Sequence, residues 1–285
     1  MKFYCISGDE QDVSYGLFKA AIEARDDIEL VRIDPWDFDP SNPPQLERGD
    51  MLYRITTGKP ASAIEQLMYR EGVATLRNTE GMGDSYCVYP YPHLVFGKVG
   101  VPSPKMTAFV PKNREYLEKS VEWLGGFPVA LKVPGGSHGV GVMKVDSMSS
   151  LLSVGDFVRS KRAHPILQQF INVTRSARLI VLGDKVIDSI EYAAPEGDFR
   201  SNVGDEPNVT GKVFSEEIQQ TAVKATQSLG LEFAGVDILI DENDNHYVTE
   251  ANFPCFFARC QKCTGNDIAG AMVDYLVAKA KRLSV

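Results

Sequence analysis

The chain lacks an apolar run anywhere near the ~18–20 residues that a membrane-spanning helix needs, so a membrane-embedded role has no support in its 285 residues. The opening MKFYCISGDEQD lacks the apolar core of an export signal, of about 7–15 residues, and the expectation is a cytoplasmic protein. Cysteine is sparse and odd in number: Cys5, Cys87, Cys255, Cys260 and Cys263. That density excludes a disulfide scaffold and fits reduced thiols. There is no surplus of positive charge: 30 Lys and Arg against 38 Asp and Glu give a formal charge of −8. Coating of nucleic acid or of an anionic membrane therefore loses weight, although an anion can still be held locally. What is present, 44% hydrophobic and 24% charged residues, is ordinary for a soluble globular protein, and the length allows two domains or one with subdomains.

Apolar periodicity orders the rest. Lys2–Ser7 reads as a buried strand, Val13–Ala24 as a helix, Ile28–Ile33 and Met51–Ile55 as strands, and Ala61–Glu71 as a helix. This alternation predicts a small parallel α/β unit over residues 1–92, closing in a connector from Thr75 to Pro92. A second unit spans 93–285, with a central subdomain at 93–165 and a C-terminal one at 166–285. It contains helices over Asn113–Leu124, Met148–Val158, Glu216–Gly230 and Asp267–Leu283. Its strands are Val129–Val133, Val142–Val145, Ile166–Ile171, Ser176–Leu182, Lys185–Ala193 and Gly211–Phe214, with a hairpin over Val236–Ile240 and His246–Glu250. No internal repeat is visible.

Four constellations could carry chemistry, one of them Leu167-Gln-Gln-Phe-Ile171, an edge segment whose backbone groups can bind an adenine edge but which by itself is only a strand. The first is Lys132-Val-Pro-Gly-Gly-Ser-His-Gly-Val-Gly-Val-Met-Lys144, with four glycines between two strands. Glycine lets successive N–H groups approach a phosphate chain, and Lys132 puts a cation beside it. The loop lacks the Lys-Ser/Thr ending of a Walker loop and the following helix of a dinucleotide fingerprint, and read alone it is equally a flexible hairpin. The second is Asp237 inside an apolar run, followed by Glu250 and Asn252 on the next strand. Alternation puts Glu250 and Asn252 on one face, and across a hairpin that face can coincide with that of Asp237. Two carboxylates and an amide oxygen suit Mg²⁺, whereas a lone strand-end acid usually just faces water. The third is Phe199-Arg200-Ser201-Asn202, where Arg200 offers a planar fork to phosphate or carboxylate. Cys260-x-x-Cys263 with Cys255 nearby falls short of a four-ligand zinc site. His138, in the Gly-rich loop, is the histidine with a functional address.

In order, these strings resemble the ATP-grasp superfamily, and within it the RimK-like glutamate and peptide ligases. The matching strings are Gly100-Val-Pro-Ser-Pro104, Phe127-Pro-Val-Ala-Leu-Lys132, Gly136-Ser-His-Gly-Val-Gly-Val142, Leu167-Gln-Gln-Phe-Ile171 and Arg178-Leu-Ile-Val-Leu-Gly183. Glu196-Gly-Asp-Phe-Arg-Ser-Asn202, Gly235-Val-Asp-Ile238, Glu250-Ala-Asn-Phe-Pro254 and Thr264-Gly-Asn-Asp-Ile-Ala-Gly270 complete the set, from about Gly100 to the C-terminus. The resemblance implies an α/β and α+β protein: an ATP-grasp fold behind a small parallel α/β domain. It implies that Lys132 contacts ATP and that Gly135, Gly136, Ser137, His138, Gly139 and Gly141 cover the phosphates. By the same resemblance Gln169, Phe170 and Ile171 grip adenine, and Arg178, Ser201 and Asn202 join the nucleotide contacts. Arg200 and Lys132 offset charge in catalysis, and Asp237, Glu250 and Asn252 hold Mg²⁺, with Mn²⁺ as a substitute. Several positions depart from the pattern. An Asp-Lys pair expected around Tyr86–His93 is absent, Ser176 stands where the family has an acid, Gly204-Asp-Glu-Pro-Asn208 replaces a Gly-Gly segment, and Pro254-Cys255 replaces Pro-Gly.

The implied activity is ATP- and Mg²⁺-dependent carboxylate–amine ligation through an acyl phosphate, with an amino acid or peptide as substrate. Neither nucleic acid nor membrane is a partner, and a homo-oligomer is compatible with the sequence. An ATP-grasp kinase acting on a hydroxyl, or a non-catalytic nucleotide-binding module, would use the same strings and are the alternatives.

Overall fold

The computed structural model describes residues 1–77, 91–133, 139–193, 197–200 and 209–284. Three sheets organise them. The first is parallel, in the order β2-β1-β3: β1 is Lys2–Ile6, β2 Glu29–Ile33 and β3 Met51–Arg54. Helix α1 (Val13–Glu23) makes the β1-to-β2 crossover and α2 (Lys59–Met68) follows β3, which is the strand–helix alternation expected of the N-terminal part. Asp12 caps α1, its carboxylate accepting from Tyr15 N at 3.0 Å.

The second sheet is a three-stranded antiparallel layer, β5-β4-β6, built from β4 (Val129–Lys132), β5 (Val142–Val145) and β6 (Ile166–Gln169). Helices α4 (Arg114–Trp123) and α5 (Met148–Ser160) supply its core. Leu117 and Val121, four residues apart on α4, are buried with Val129, Leu131, Leu167 and Leu151. β6 completes this sheet rather than opening a C-terminal subdomain, so the expected division at 165/166 cuts through a sheet.

The third sheet has the order β11-β10-β7-β8-β9: β7 is Val173–Leu182, β8 Lys185–Ala193, β9 Val209–Gly211, β10 Phe233–Asp241 and β11 His246–Asn252. Helix α6 (Glu216–Ser228) packs on one face. Ser215 and the acids Glu216 and Glu217 suit the start of α6, and Ala222 and Ala225 are fully buried. Its core is continuous with one face of the parallel sheet. Phe18 stacks on Phe3, Tyr53 and Phe257, and Phe233 on Tyr53 and Phe257, with ring centroids 5.3–6.3 Å apart. Helix α8 (Ile268–Leu283), capped by Asp267, packs against α1 and β3.

Two helices escape the periodicity reading. α3 (Tyr91–Val99) begins inside the expected connector, and α7 (Ala258–Thr264) carries Cys260 and Cys263. The strand expected over Gly211–Phe214 is instead Val209–Gly211. An extended strap, Pro102–Thr107, joins the second and third sheets. Val248 N–H donates to the Pro102 carbonyl at 2.8 Å, Gln169 N–H to Lys105 O at 2.8 Å, and Thr107 N–H to Leu167 O at 2.8 Å. Among the described residues no helix is long and apolar enough to cross a membrane.

Candidate active site

The cleft between the second and third sheets gathers the polar residues. Its floor is one face of the third sheet, where Asp237 on β10 stands opposite both Arg178 on β7 and Glu250 on β11. Simple alternation would not produce this. Val248 and Glu250 lie two apart and should share a face, yet Val248 is fully buried in the core, beside Ile238. The register shifts after the Asp237–Glu250 pair, leaving Thr249 as an extra residue in β11. Such a bulge reverses the strand's facing, so Glu250 and Asn252 turn to Asp237 instead of α6. The Thr249 hydroxyl donates to Asp237 O at 3.2 Å, which fastens the bulge to β10.

Arg178 grips Asp237 with two parallel bonds, Nε to Oδ1 and Nη2 to Oδ2, both 2.8 Å. Asn252 Nδ2 donates to the same Oδ2 at 3.1 Å, which turns the amide nitrogen toward Asp237 and leaves its oxygen for another partner. Burial and the neighbouring Asp237 charge push the Glu250 carboxyl above its ordinary range, while Lys132 and Arg178 pull the other way. Two carboxylates pressed together on a half-buried face, with an amide oxygen beside them, form a hard-oxygen set that a divalent cation would relieve. Mg²⁺ commonly takes one or two carboxylates and leaves its other positions to water and phosphate, so these residues fit it.

Lys132, the last residue of β4, approaches this floor from the second sheet. Burial lowers its ammonium to about 8, against the pull of Glu250. Ala130 and Gln168 are registered partners, and with Lys132 they share the face of β4–β6 opposite the Leu131 core. Gln168 is 2% exposed and its Nε2 has no partner. Ser176, two residues from Arg178 and on its face, is 6% exposed with an unpartnered hydroxyl. Buried polar atoms are seldom orphaned, and these two, one on each sheet, fit a cleft that receives a polar ligand.

The expected adenine hinge divides. Gln169 is occupied by the strap, its N–H bonding Lys105 O and its Oε1 accepting from Lys105 N at 3.2 Å. The edge of β6 is therefore already paired up to Gln169. Phe170 lies beyond it, its ring 5.8 Å from Phe199, with Lys144 Nζ 4.9 Å over its face. Ile171 is buried. Arg200 is clasped by Asp198 through Nε and Nη2, at 3.0 and 2.8 Å, and its Nη1 reaches the Gly139 carbonyl at 3.3 Å. Those bonds hold the half-buried Asp198 carboxyl at about 2. Gly139 and Gly141 have φ of 72° and 86°, and a Cβ on Gly141 would sit 3.1 Å from Val133 O, so glycine is required there.

Gly135, Gly136, Ser137, His138, Ser201 and Asn202 lie outside the described residues, as do positions 86–90 of the departure around Tyr86–His93. Cys5, Cys255, Cys260 and Cys263 are free thiols, and no metal-holding cluster of His, Cys, Asp and Glu occurs among the described residues. Burial raises the Cys5 and Cys255 thiols and carries Cys260 to about 12, which suits packing rather than catalysis. Periodicity passed over His93. It is 8% exposed on α3, bonds Thr249 O through Nε2 at 3.0 Å, and stays neutral because burial and the Lys132 charge lower it to about 4. The one available signal was its place just before Gly100-Val-Pro.

Two antiparallel sheets facing each other, with a buried lysine on one beside an Asp–Glu–Asn set on the other, match the ATP-grasp class of ligases. Solved structures with this fold include PsnB in complex with a minimal precursor, at 19% identity and a TM-score of 0.74, covering 97% of this chain and 99% of that one. Another is D-alanine–D-alanine ligase from Bacillus anthracis, at 16% identity and a TM-score of 0.69, covering 100% and 98%. The RimK-like ATP-grasp domain family matches residues 93–276. The chain belongs to the RimK-like ATP-grasp family, and it is an ATP-dependent ligase. A probable alpha-L-glutamate ligase of Maridesulfovibrio salexigens is 30% identical over 253 residues, 84% of this chain and 82% of that protein. One from Legionella pneumophila is 30% identical over 225 residues, 78% and 73% of the two chains. A further PsnB structure holds its minimal precursor with Mg and ADP.

Proposed function

We propose that this protein joins a carboxylate to the amine of an amino acid or peptide in the cytoplasm, with glutamate as the first amine substrate to test. The supporting observation is the Thr249 bulge, which turns Glu250 and Asn252 onto the face of Asp237, opposite Lys132. Residues 1–92 would act as a substrate-facing α/β unit and 93–285 as the ATP clamp.

In this reading Lys132, with Phe170 and the Gly139–Gly141 turn, holds ATP. A carboxylate oxygen attacks the γ-phosphorus, the bond to the ADP oxygen breaks, and an acyl phosphate forms. The amine nitrogen then attacks the acyl carbon, inorganic phosphate leaves, and the amine proton passes to solvent. Lys132 and Arg200 offset the charge that develops on the transferring phosphoryl group. Mg²⁺, or Mn²⁺ in its place, would be held by Asp237, Glu250 and the Asn252 oxygen and would neutralise phosphate charge. Arg178 keeps Asp237 aimed through its two parallel bonds, and the strap holds the adenine side at a set distance from the floor.

The test is incubation of the full chain with ATP, Mg²⁺, L-glutamate and pools of carboxylate-bearing peptides, followed by mass spectrometry. ADP release with a new amide is the expected result. ADP with a phosphorylated hydroxyl would replace ligation by phosphotransfer, and nucleotide binding without ADP release in every pool would remove both enzymatic readings.

A further inference from the structure

We infer that His93 is a positioning residue for the metal ligands, clasping the Thr249 bulge from outside the sheet and so fixing the face on which Glu250 stands. The inference rests on the metal reading of Asp237, Glu250 and Asn252 proposed above.

β11 is an edge strand, paired with β10 on one side. Its Thr249 is the extra residue where the register shifts, and a bulged residue loses its regular ladder partner. Contacts on both sides of the strand hold it instead. The Thr249 hydroxyl bonds Asp237 O on the inner side, and the Thr249 carbonyl meets His93 Nε2 at 3.0 Å from α3. The ring is itself fixed, 8% exposed and set edge-on to Phe96 at a centroid distance of 5.9 Å. Its position is tied to the same strand a second time, because α3 leads into the strap whose Pro102 carbonyl receives Val248 N–H.

The consequence is geometric. A strand repeats every two residues, so a bulge that relaxed to regular pairing would move Glu250 and Asn252 from the cleft to the core face. Regular pairing would restore ladder bonds, and the bond from His93 to the Thr249 carbonyl favours the bulge against it. Within α3 the residue able to do this is His93, whose ring reaches across from a separate element. His93 touches neither nucleotide nor metal in this reading, and acts through the Thr249 backbone.

The test uses the full chain with AMPPNP and Mg²⁺, measuring nucleotide affinity by calorimetry first in EDTA and then across a Mg²⁺ titration. His93→Leu keeps the ring's bulk and removes the donor. Its EDTA affinity should stay within about twofold of wild type, while the Mg²⁺ concentration for half-effect rises about tenfold, as for loss of other ligand-orienting contacts. His93→Gln, whose amide can still donate to Thr249 O, should recover most of that loss, and the shorter His93→Asn should not. A merely structural role would lower both affinities together and would show no Gln–Asn difference. A wild-type Mg²⁺ dependence in His93→Leu overturns the inference. If that variant does not fold, equal Mg²⁺ dependence in the Gln and Asn variants overturns it. Asp237→Asn serves as the control. If it leaves the Mg²⁺ dependence unchanged, the metal reading itself fails and the inference with it; if it weakens that dependence while His93→Leu does not, the inference about His93 fails alone.

Discussion

The two sheets that wall the cleft are anchored in different ways. The five-stranded floor shares a core with the N-terminal parallel sheet through Phe3, Phe18, Tyr53, Phe233 and Phe257, all 0–1% exposed. The three-stranded wall has its own smaller core, around Leu117, Val129, Leu131 and Leu167. It meets the floor through the strap and through polar or aromatic contacts such as Arg200 with Gly139 and Phe170 with Phe199. The difference teaches where precision is stored. The groups proposed to hold a metal, Asp237, Glu250 and Asn252, stand on the larger core, and Lys132, proposed to meet the nucleotide, stands on the smaller one.

The sharpest way to break this comparison is Phe18→Ala. It removes a ring packed against three others and should cost about 3–5 kcal/mol of stability in denaturant titration. Leu131→Ala, in the smaller core, should cost about 2–4 kcal/mol. If the comparison holds, hydrogen exchange in Leu131→Ala will rise in β4 to β6 and leave β7 to β11 protected. A uniform rise would merge the two cores into one.

Next in size is Glu250→Gln, which should lower ATP turnover about 10²–10³-fold. The sign of its stability effect is diagnostic. The Glu250 carboxyl is raised by burial and by Asp237, so its charged form opposes folding at neutral pH. Removing that charge should leave the melting temperature unchanged or higher. A protein that loses activity while gaining stability has an acid kept for function; a clear fall in melting temperature would make Glu250 structural.

A smaller effect comes from Lys132. Its folded value, about 8, lies below the ordinary 10.5, so between those values the unfolded chain binds the extra proton and stability rises with pH. Nucleotide affinity should move the other way, because the charged form is lost above about 8. Metal-free ATP affinity should therefore fall up to about tenfold from pH 7 to pH 9, with proton uptake in calorimetry. Lys132→Met should flatten both profiles, and an unchanged wild-type profile would separate Lys132 from the phosphates. Smallest is Phe199→Ala, which removes a ring pair worth about 0.5–1.5 kcal/mol and should weaken nucleotide binding by twofold to tenfold without altering Mg²⁺ dependence.

Legibility in the sequence followed the same divide. Elements with a clean period and a cap, such as α4 behind Asn113 and α8 behind Asp267, were readable because local chemistry determines them. α3 was not, since its opening Tyr-Pro-His carries no apolar period, although proline is tolerated in a first turn. Asp237 was readable as an acid inside an apolar run, but its bidentate partner lay 59 residues away and stood among the expected nucleotide contacts. The bulge at Thr249 left no mark at all. Alternation applied to His246–Asn252 joins Val248 to Glu250, and only pairing with β10 separates them. The role of His93 escaped the period for the same reason, since its target is the carbonyl at that irregularity and only its place before Gly100-Val-Pro marked it.

The strap from Pro102 to Thr107 carries one more consequence. It has the composition of a loop, and loops commonly absorb insertions and deletions. This one is fastened at both ends, to Val248 beside Glu250 and to Leu167 and Gln169 on β6, where the nucleotide is proposed to sit. Each added or removed residue would change its reach by about 3.3–3.6 Å, roughly the spacing of one base stacked on another. It therefore works as a ruler, free to vary in letters but not in length, and a relative with one residue more between these anchors would have to grip its nucleotide somewhere else.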